Sequence, residues 1–249
     1  MYKKNRMIVA GHRGYKAKYP ENTLLSFEKA LDVGVDMIEF DINLTGDQIP
    51  IIMHDSTVDR TTNGSGQIRG FSLKKIKELD AGGWFSPQFA GEKVPNLEEL
   101  LEFVSPHREL LFNVEIKDKS HEAVDLSMGL LDKYDVVARC VFTCFDAAIL
   151  AYIKKKYGVK CQGFPSFLMQ NFENEPGGTY SLMYAAGIDM KYVSKEMVDF
   201  FRQWGIHPWP YGMDTREEVL QVADLGVPLV TCDDPGMVLG VLREIGLHD

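Results

Sequence analysis

Glu39 and Asp41 stand two residues apart in the stretch Met37 to Asp55, M-I-E-F-D-I-N-L-T-G-D-Q-I-P-I-I-M-H-D, inside an apolar, β-prone run. A strand alternates its faces, so these two carboxylates point the same way. Dehydrating a lone carboxylate costs far more than folding can spare, so a basic side chain or a bound cation must lie between them. A few residues later Ile51-Ile52-Met53 carries His54 outward at a second strand end. Further on, the strand Leu110–Lys117 repeats the opening pattern, with Asn113, Glu115 and Lys117 alternating onto one face. His12 and Arg13 end the short apolar run Ile8–Gly11. On one shared rim, Glu39, Asp41 and Glu115 form an all-oxygen site that suits Mg²⁺, Ca²⁺ or Mn²⁺ rather than a structural zinc. Two imidazoles that titrate near neutrality can divide general-base and general-acid work. Arg13 and Lys117 can hold an anion, Arg offering the paired donors that a phosphate accepts best.

Each signal has a plainer reading beside it. Glu115 with Lys117 reads equally as an ion pair, and a single histidine at a strand end as a hydrogen-bonded structural residue. Asp59-Arg60-Thr61-Thr62 is by itself an ordinary turn, while His107, His121, His207 and His248 are left as surface or packing residues. The coincidence of five such groups, His12, Glu39, Asp41, His54 and Glu115, at predicted strand ends carries the functional reading.

The elements that must position them are legible from periodicity. Strand candidates are Ile8–Gly11, Met37–Ile42, Ile49–His54, Leu110–Ile116, Arg139–Phe145, Val159–Gly163, Met190–Val193, Ile206–Trp209 and Pro228–Cys232. Between them lie amphipathic runs: Leu24, Phe27 and Leu31 after a helix start near Asn22, then Val124, Met128 and Leu131, then Met197, Phe200, Phe201 and Trp204, then Val219, Val222 and Ala223 with Thr215 and Glu218 as a capping box. Gly34, Gly158, Gly187, Gly205 and Gly226 each follow a helix-like run and precede a strand-like one, as left-handed C-terminal caps do. Helices alternating with short apolar strands predict a parallel sheet. Counting Ile49–His54 with its predecessor as one broken unit leaves eight units, the α/β (β/α)8 TIM barrel, whose chemistry sits at the C-terminal strand ends. An open doubly wound sheet is the alternative, but no G-x-G-x-x-G follows the first strand. The interval 56–95 is too long for a simple loop and is expected to form a small inserted subdomain at the barrel mouth within a single domain, 1–249.

Bulk properties narrow the class. At 249 residues and 45% hydrophobic content, the chain can bury a full core. A net charge of −9 argues against nucleic-acid binding, since phosphate-backbone affinity needs clustered Lys and Arg. Cys140, Cys144, Cys161 and Cys232 form no C-x-x-C pair and read as buried thiols of a reducing compartment. After Lys3, Lys4 and Arg6, the segment Met7-Ile8-Val9-Ala10 is too short for a signal-peptide core or a membrane span, so a cytoplasmic protein without integral membrane association is expected. Composition does not address the oligomeric state.

These residues resemble, nearly end to end, the glycerophosphodiester phosphodiesterase family. Its H-R-G is His12-Arg13-Gly14, its P-E-N-T is Pro20-Glu21-Asn22-Thr23, and its E-x-D with H-D is Glu39, Asp41 and His54-Asp55. Its D-R-T-T-x-G-x-G runs from Asp59 to Gly66, its P-x-L-E-E from Pro95 to Glu99, and its E-I-K is Glu115-Ile116-Lys117. The resemblance implies a TIM barrel with a small insertion, a divalent cation (Mg²⁺ or Ca²⁺, or Mn²⁺) on Glu39, Asp41 and Glu115, and His12 and His54 as the acid/base pair. Arg13 and Lys117 would neutralise the phosphate of a small glycerophosphodiester, with Phe145 and Trp209 packing on substrate. It further implies attack by the adjacent glycerol hydroxyl, a cyclic phosphate opened by water, and release of glycerol 3-phosphate with an alcohol such as choline or ethanolamine. The departures are Cys144-Phe145 for the usual Ser-Phe, and Trp209-Pro210-Tyr211-Gly212 for W-T-V-N. Pro210 cannot donate to a sheet ladder. A lysophospholipase D acting on longer lipids is the related alternative, favoured by exposed apolar surface at Trp84-Phe85 or Leu168–Phe172. The rival of another class is a metal-dependent sugar-phosphate lyase or isomerase, for which Ile206–Asp234 offers no Gly-rich phosphate loop.

Overall fold

Every residue of the strand Met37–Leu44 is buried, its two acids included, which a strand allows only when both its faces are covered. The computed structural model describes residues 6–249; Lys3 and Lys4 lie outside the described residues. The order is β1 (Ile8–Gly11), α1 (Leu24–Val33), β2 (Met37–Leu44), β3 (Pro50–Ile52), α2 (Leu73–Ile76), α3 (Leu97–Val104), β4 (Leu111–Ile116), α4 (His121–Lys133) and β5 (Cys140–Thr143). It continues α5 (Ala147–Tyr157), β6 (Lys160–Gly163), β7 (Ala185–Asp189), α6 (Lys195–Gln203), β8 (His207–Tyr211), α7 (Arg216–Asp224), β9 (Leu229–Cys232) and α8 (Pro235–Glu244).

Eight strands pair in parallel in the ring β1-β2-β4-β5-β6-β7-β8-β9, which closes through β1 with β9, the barrel expected from the eight units. β3 stays outside the ring, antiparallel on the far end of β2 with Ile42 opposite Ile52. The outward faces of the strands pack beneath the helices, as in the edge-to-face series Phe27–Phe40–Phe112 with centroids 6.4 Å apart at each step. Ala10, Met37, Val141, Ala185, Trp209 and Leu229 fill the inner floor. The residues between β3 and α3 carry a second small cluster in which Val58, Ile68, Ile76 and Val94 cover Ile51 and Met53. All four cysteines are buried and free. No helix among the described residues is long and apolar enough to cross a membrane.

Local signals hold where a cap or turn dictates them. Thr215 and Glu218 form the capping box at α7. Gly34, Gly158, Gly205 and Gly226 take φ of 92°, 67°, 70° and 63°. Three expectations fail. The strand expected at Met190–Val193 lies instead at Ala185–Asp189, and Gly187 sits inside it rather than capping a helix. The reason is steric: a Cβ on Gly187 would stand 2.6 Å from the Phe164 ring, so this glycine makes room inside the barrel. The N-cap of α1 is Thr23, which accepts from Ser26 N–H; Asn22 turns away with φ 58°.

The seam between β8 and β9 is thin, with one register pair, Tyr211 opposite Thr231, against five between β7 and β8. The His207 N–H donates toward β7, and the alternate amides, those facing β9, belong to Pro208 and Pro210, which have none to give. The Gly212 N–H to Thr231 O bond (3.2 Å) and the Trp209 Nε1–H to Thr231 Oγ1 bond (2.8 Å) hold the seam instead. Trp209→Phe, which keeps most of the volume and deletes the second bond, should cost about 1 kcal/mol, and Trp209→Ala about 3–5 kcal/mol. Urea unfolding should rank the two in that order.

Candidate active site

Asp41, Glu115, Thr143 and Gln162 are successive register partners on β2, β4, β5 and β6 and form one row across the barrel interior. Glu39 lies two residues back on β2, opposite Asn113. Glu39, Asp41 and Glu115 are all buried, each offering one oxygen within 4.8 Å of the others. Burial and the neighbouring acids push the Glu39 carboxyl well above its usual pKa. Burial raises Glu115 as well, against the pull of Lys117. For Asp41 burial is outweighed by Lys117 and Arg13, which hold it below the ordinary range. Glu39 Oε1 and Asp41 Oδ1 are buried with no hydrogen-bond partner. Buried oxygens lacking a donor, in an oxygen-only set of three carboxylates, are what a Mg²⁺-, Ca²⁺- or Mn²⁺-type ion fits.

The turn after β1 serves this cluster. Arg13 and Gly14 both take positive φ, 51° and 86°, and a Cβ on Gly14 would collide with Ser26. The turn aims the Arg13 N–H at Glu39 Oε2 (2.8 Å) and places its Nε 3.2 Å from Asp41 Oδ2. Asn22 donates from Nδ2 to the same Asp41 oxygen at 2.8 Å, so its departure from the helix cap is explained by the site. Lys117 pairs with Glu115, lies 3.4 Å from Asp41 Oδ1 and stands 5.5 Å over the Phe145 ring.

Both histidines are oriented by a carboxylate. His12 Nδ1 meets Asp233 Oδ1 at 2.6 Å, and His54 Nδ1 meets Asp55 Oδ1 at 2.6 Å. An acceptor at Nδ1 fixes the proton there and leaves Nε2 for chemistry. Burial lowers the pKa of both imidazoles, opposed by these hydrogen bonds. Behind His54 the contacts continue. Asp55 accepts from Arg60 Nε (2.7 Å), Arg60 is held twice by Glu21 at 2.9 Å, and Glu21 accepts from Arg13 Nη1 at 2.7 Å. Arg60, an ordinary turn residue by sequence, thus ties the segment between β3 and α3 to the histidine and to the acidic cluster.

A cavity of about 130 Å³ opens onto His12, His54, Glu39, Glu115 and Lys117. Phe145 forms a wall of it, stacked on Phe164 at 3.6 Å, with Tyr211 edge-on to Phe164 at 6.1 Å. Trp209 is not brought to this site: it is fully buried in the barrel floor. Its side chain occupies a deeper layer of the same inward face, and Tyr211, two residues on, occupies the position expected of it. Sequence reasoning also missed Asp233, Asp55, Glu21, Arg60 and Gln162 as site groups. His54-Asp55 and Pro20-Glu21-Asn22 were available as signals, whereas Asp233 depends on ring closure and Gln162 on Asn113 and Thr143 of the neighbouring strands.

A closed (β/α)8 barrel with converging acids and oriented imidazoles at one end of its interior defines a barrel enzyme of the phosphate-handling kind. Residues 12–237 match the model of the glycerophosphoryl diester phosphodiesterase family. The chain is 32% identical over 250 residues to a glycerophosphodiester phosphodiesterase of Caldanaerobacter subterraneus subsp. tengcongensis, covering 97% of this chain and 100% of the relative. Against one from Bacillus altitudinis it is 31% identical, covering 95% and 98%. Among solved structures, an Oleispira antarctica phosphodiesterase in complex with the product sn-glycerol-3-phosphate superposes with a TM-score of 0.85 at 25% identity, covering 95% of this chain and 96% of that one. The chain belongs to the glycerophosphoryl diester phosphodiesterase family.

Removing the Asp55 hydrogen bond should lower the His54 pKa further, because that bond favours the imidazolium. In Asp55→Asn the limb of the pH–kcat/KM profile that reports His54 should therefore move to lower pH, with a reduced maximum.

Proposed function

We propose that this chain hydrolyses small glycerophosphodiesters, such as glycerophosphocholine or glycerophosphoethanolamine, to glycerol 3-phosphate and an alcohol. The observation that carries this reading is the pair of orphaned carboxylate oxygens, Glu39 Oε1 and Asp41 Oδ1, in a cluster flanked by two carboxylate-oriented imidazoles. Membership of the family and the product named for the Oleispira antarctica structure support it.

Glu39, Asp41 and Glu115 would hold a divalent cation, Mg²⁺ or Ca²⁺ or Mn²⁺, which when bound offsets negative charge on the phosphoryl oxygens. Arg13 and Lys117, both half-buried among acids that keep them charged, add fixed positive charge that needs no reorganisation as the reaction proceeds. The hydroxyl next to the phosphodiester attacks phosphorus, one imidazole taking its proton. The other imidazole protonates the departing alcohol oxygen, leaving a cyclic phosphate. Water then opens the ring with the proton transfers reversed, giving glycerol 3-phosphate. An intramolecular nucleophile spares the entropy of bringing in a second reactant. The lowered pKa suits the imidazole that accepts the proton, while the one that protonates the leaving oxygen must enter the step as imidazolium, the form its carboxylate partner at Nδ1 favours.

A second reading, hydrolysis of longer lysolipids, is favoured by the exposed rings of Phe167 (58%) and Trp204 (52%), Phe167 lying edge-on to Tyr192 at 5.0 Å. Trp84 is exposed too, but packs edge-to-face on Phe85. A panel of glycerophosphocholine and detergent-solubilised lysophosphatidylcholine separates the two. The sugar-phosphate lyase or isomerase is set aside by the family assignment.

EDTA should abolish glycerol 3-phosphate release from glycerophosphocholine, and adding back Mg²⁺, Ca²⁺ or Mn²⁺ in turn should restore it and identify the ion. His12→Ala and His54→Ala should each lower kcat by about 10²- to 10⁴-fold while thermal unfolding shows a folded protein. Activity that survives both treatments would defeat the proposal.

A further inference from the structure

Gln162 occupies the end of the carboxylate row and has no part in the chemistry above. It is 4% exposed yet lines the cavity. Two neighbours sit at its amide oxygen, Asn113 Nδ2 at 2.6 Å and Thr143 Oγ1 at 3.2 Å. Thr143 Oγ1–H donates to Asn113 Oδ1 at 2.7 Å, and Asn113 Nδ2–H donates to Gln162 Oε1 at 2.6 Å. The oxygen of Gln162 is therefore engaged, and Nε2 is the end left over. Among the described residues Nε2–H meets no acceptor. The fold makes room for that end: a Cβ on Gly187 would stand 2.7 Å from Nε2. That donor opens onto the cavity rather than into the core, so a ligand there can accept from it.

The position indicates what that acceptor is. Around the ring, β6 is four strands from β1 in either direction, so Gln162 faces His12 across the barrel. The charged end of the substrate is served by Arg13 and Lys117. An uncharged donor on the opposite wall suits a neutral oxygen of the substrate that takes no part in the proton transfers.

We propose that Gln162 is a specificity-determining residue, its Nε2–H donating to the terminal hydroxyl oxygen of the substrate's glycerol unit. This assignment rests on the function proposed above. Losing one buried hydrogen bond of this kind should cost about 10- to 100-fold in kcat/KM.

The test compares glycerophosphocholine with 1,2-propanediol phosphocholine, which keeps the hydroxyl beside the phosphate and lacks the terminal one. The wild-type protein should favour the glycerol compound by about 10- to 100-fold in kcat/KM. In Gln162→Met that ratio should fall to near one, mainly through the glycerol compound. Thr143→Val, which frees Asn113 and with it the Gln162 amide, should reduce the ratio partway, and it decides the matter should Gln162→Met not fold. Equal losses on both substrates, or an unchanged ratio in both variants, overturns the assignment. A wild-type protein that cleaves neither substrate overturns the function itself and this assignment with it, an outcome visible before any variant is made.

Discussion

Three carboxylates gathered inside a barrel repel one another, and the rest of the structure is arranged around that repulsion. At an effective dielectric of about 20, two unit charges about 4 Å apart interact by about 4 kcal/mol. Three such pairs rival the whole net stability of a domain, about 5–15 kcal/mol. The protein answers with positive charge from two separate segments. Arg13 arrives on a turn with two consecutive positive φ values, and Lys117 on the residue just after β4. Neither relieves Glu39, whose carboxyl stays high because burial and its acidic neighbours outweigh Arg13. The deficit concentrates on Glu39, whose buried Oε1 has no hydrogen-bond partner.

The same compensation reaches into the segment between β3 and α3. Glu21 is shared between Arg13 and Arg60, and Arg60 in turn grips Asp55. Because Asp55 orients His54, one continuous set of charge-assisted contacts connects the acidic cluster to an imidazole on a different segment. Charge-assisted pairs are shorter and stronger than neutral ones, so their geometry spreads from the buried end outward. Arg60 itself is half-exposed, and its value lies in position rather than in the energy of a surface ion pair.

What could be read in the sequence was what neighbouring residues dictate to one another. The Glu39–Asp41 alternation, the capping box at Thr215 and four of the five cap glycines all follow from short-range geometry. The failures are tertiary. Gly187 looked like a helix cap because only the ring of Phe164 reveals why a side chain is forbidden there. Asn22 looked like an N-cap because its partner, Asp41, is 19 positions away. The family resemblance places Trp209 on the substrate, but a motif gives the face of a strand and not the depth of its layer within a barrel. Gln162 carried no signal at all, since its meaning comes from Asn113 and Thr143 on two other strands.

The two prolines of β8 leave a further mark. A barrel normally hides all its backbone edges, and any opening would create two new ones able to recruit strands from another molecule. Here the seam with the fewest backbone pairs runs between β8 and β9. Parting there would bare a β8 border on which Pro208 and Pro210 offer no amide hydrogens, so half of the rupture is already blunted against intermolecular association. The interruption that weakens closure of the cylinder thus also shields the partly opened chain from aggregating along that side.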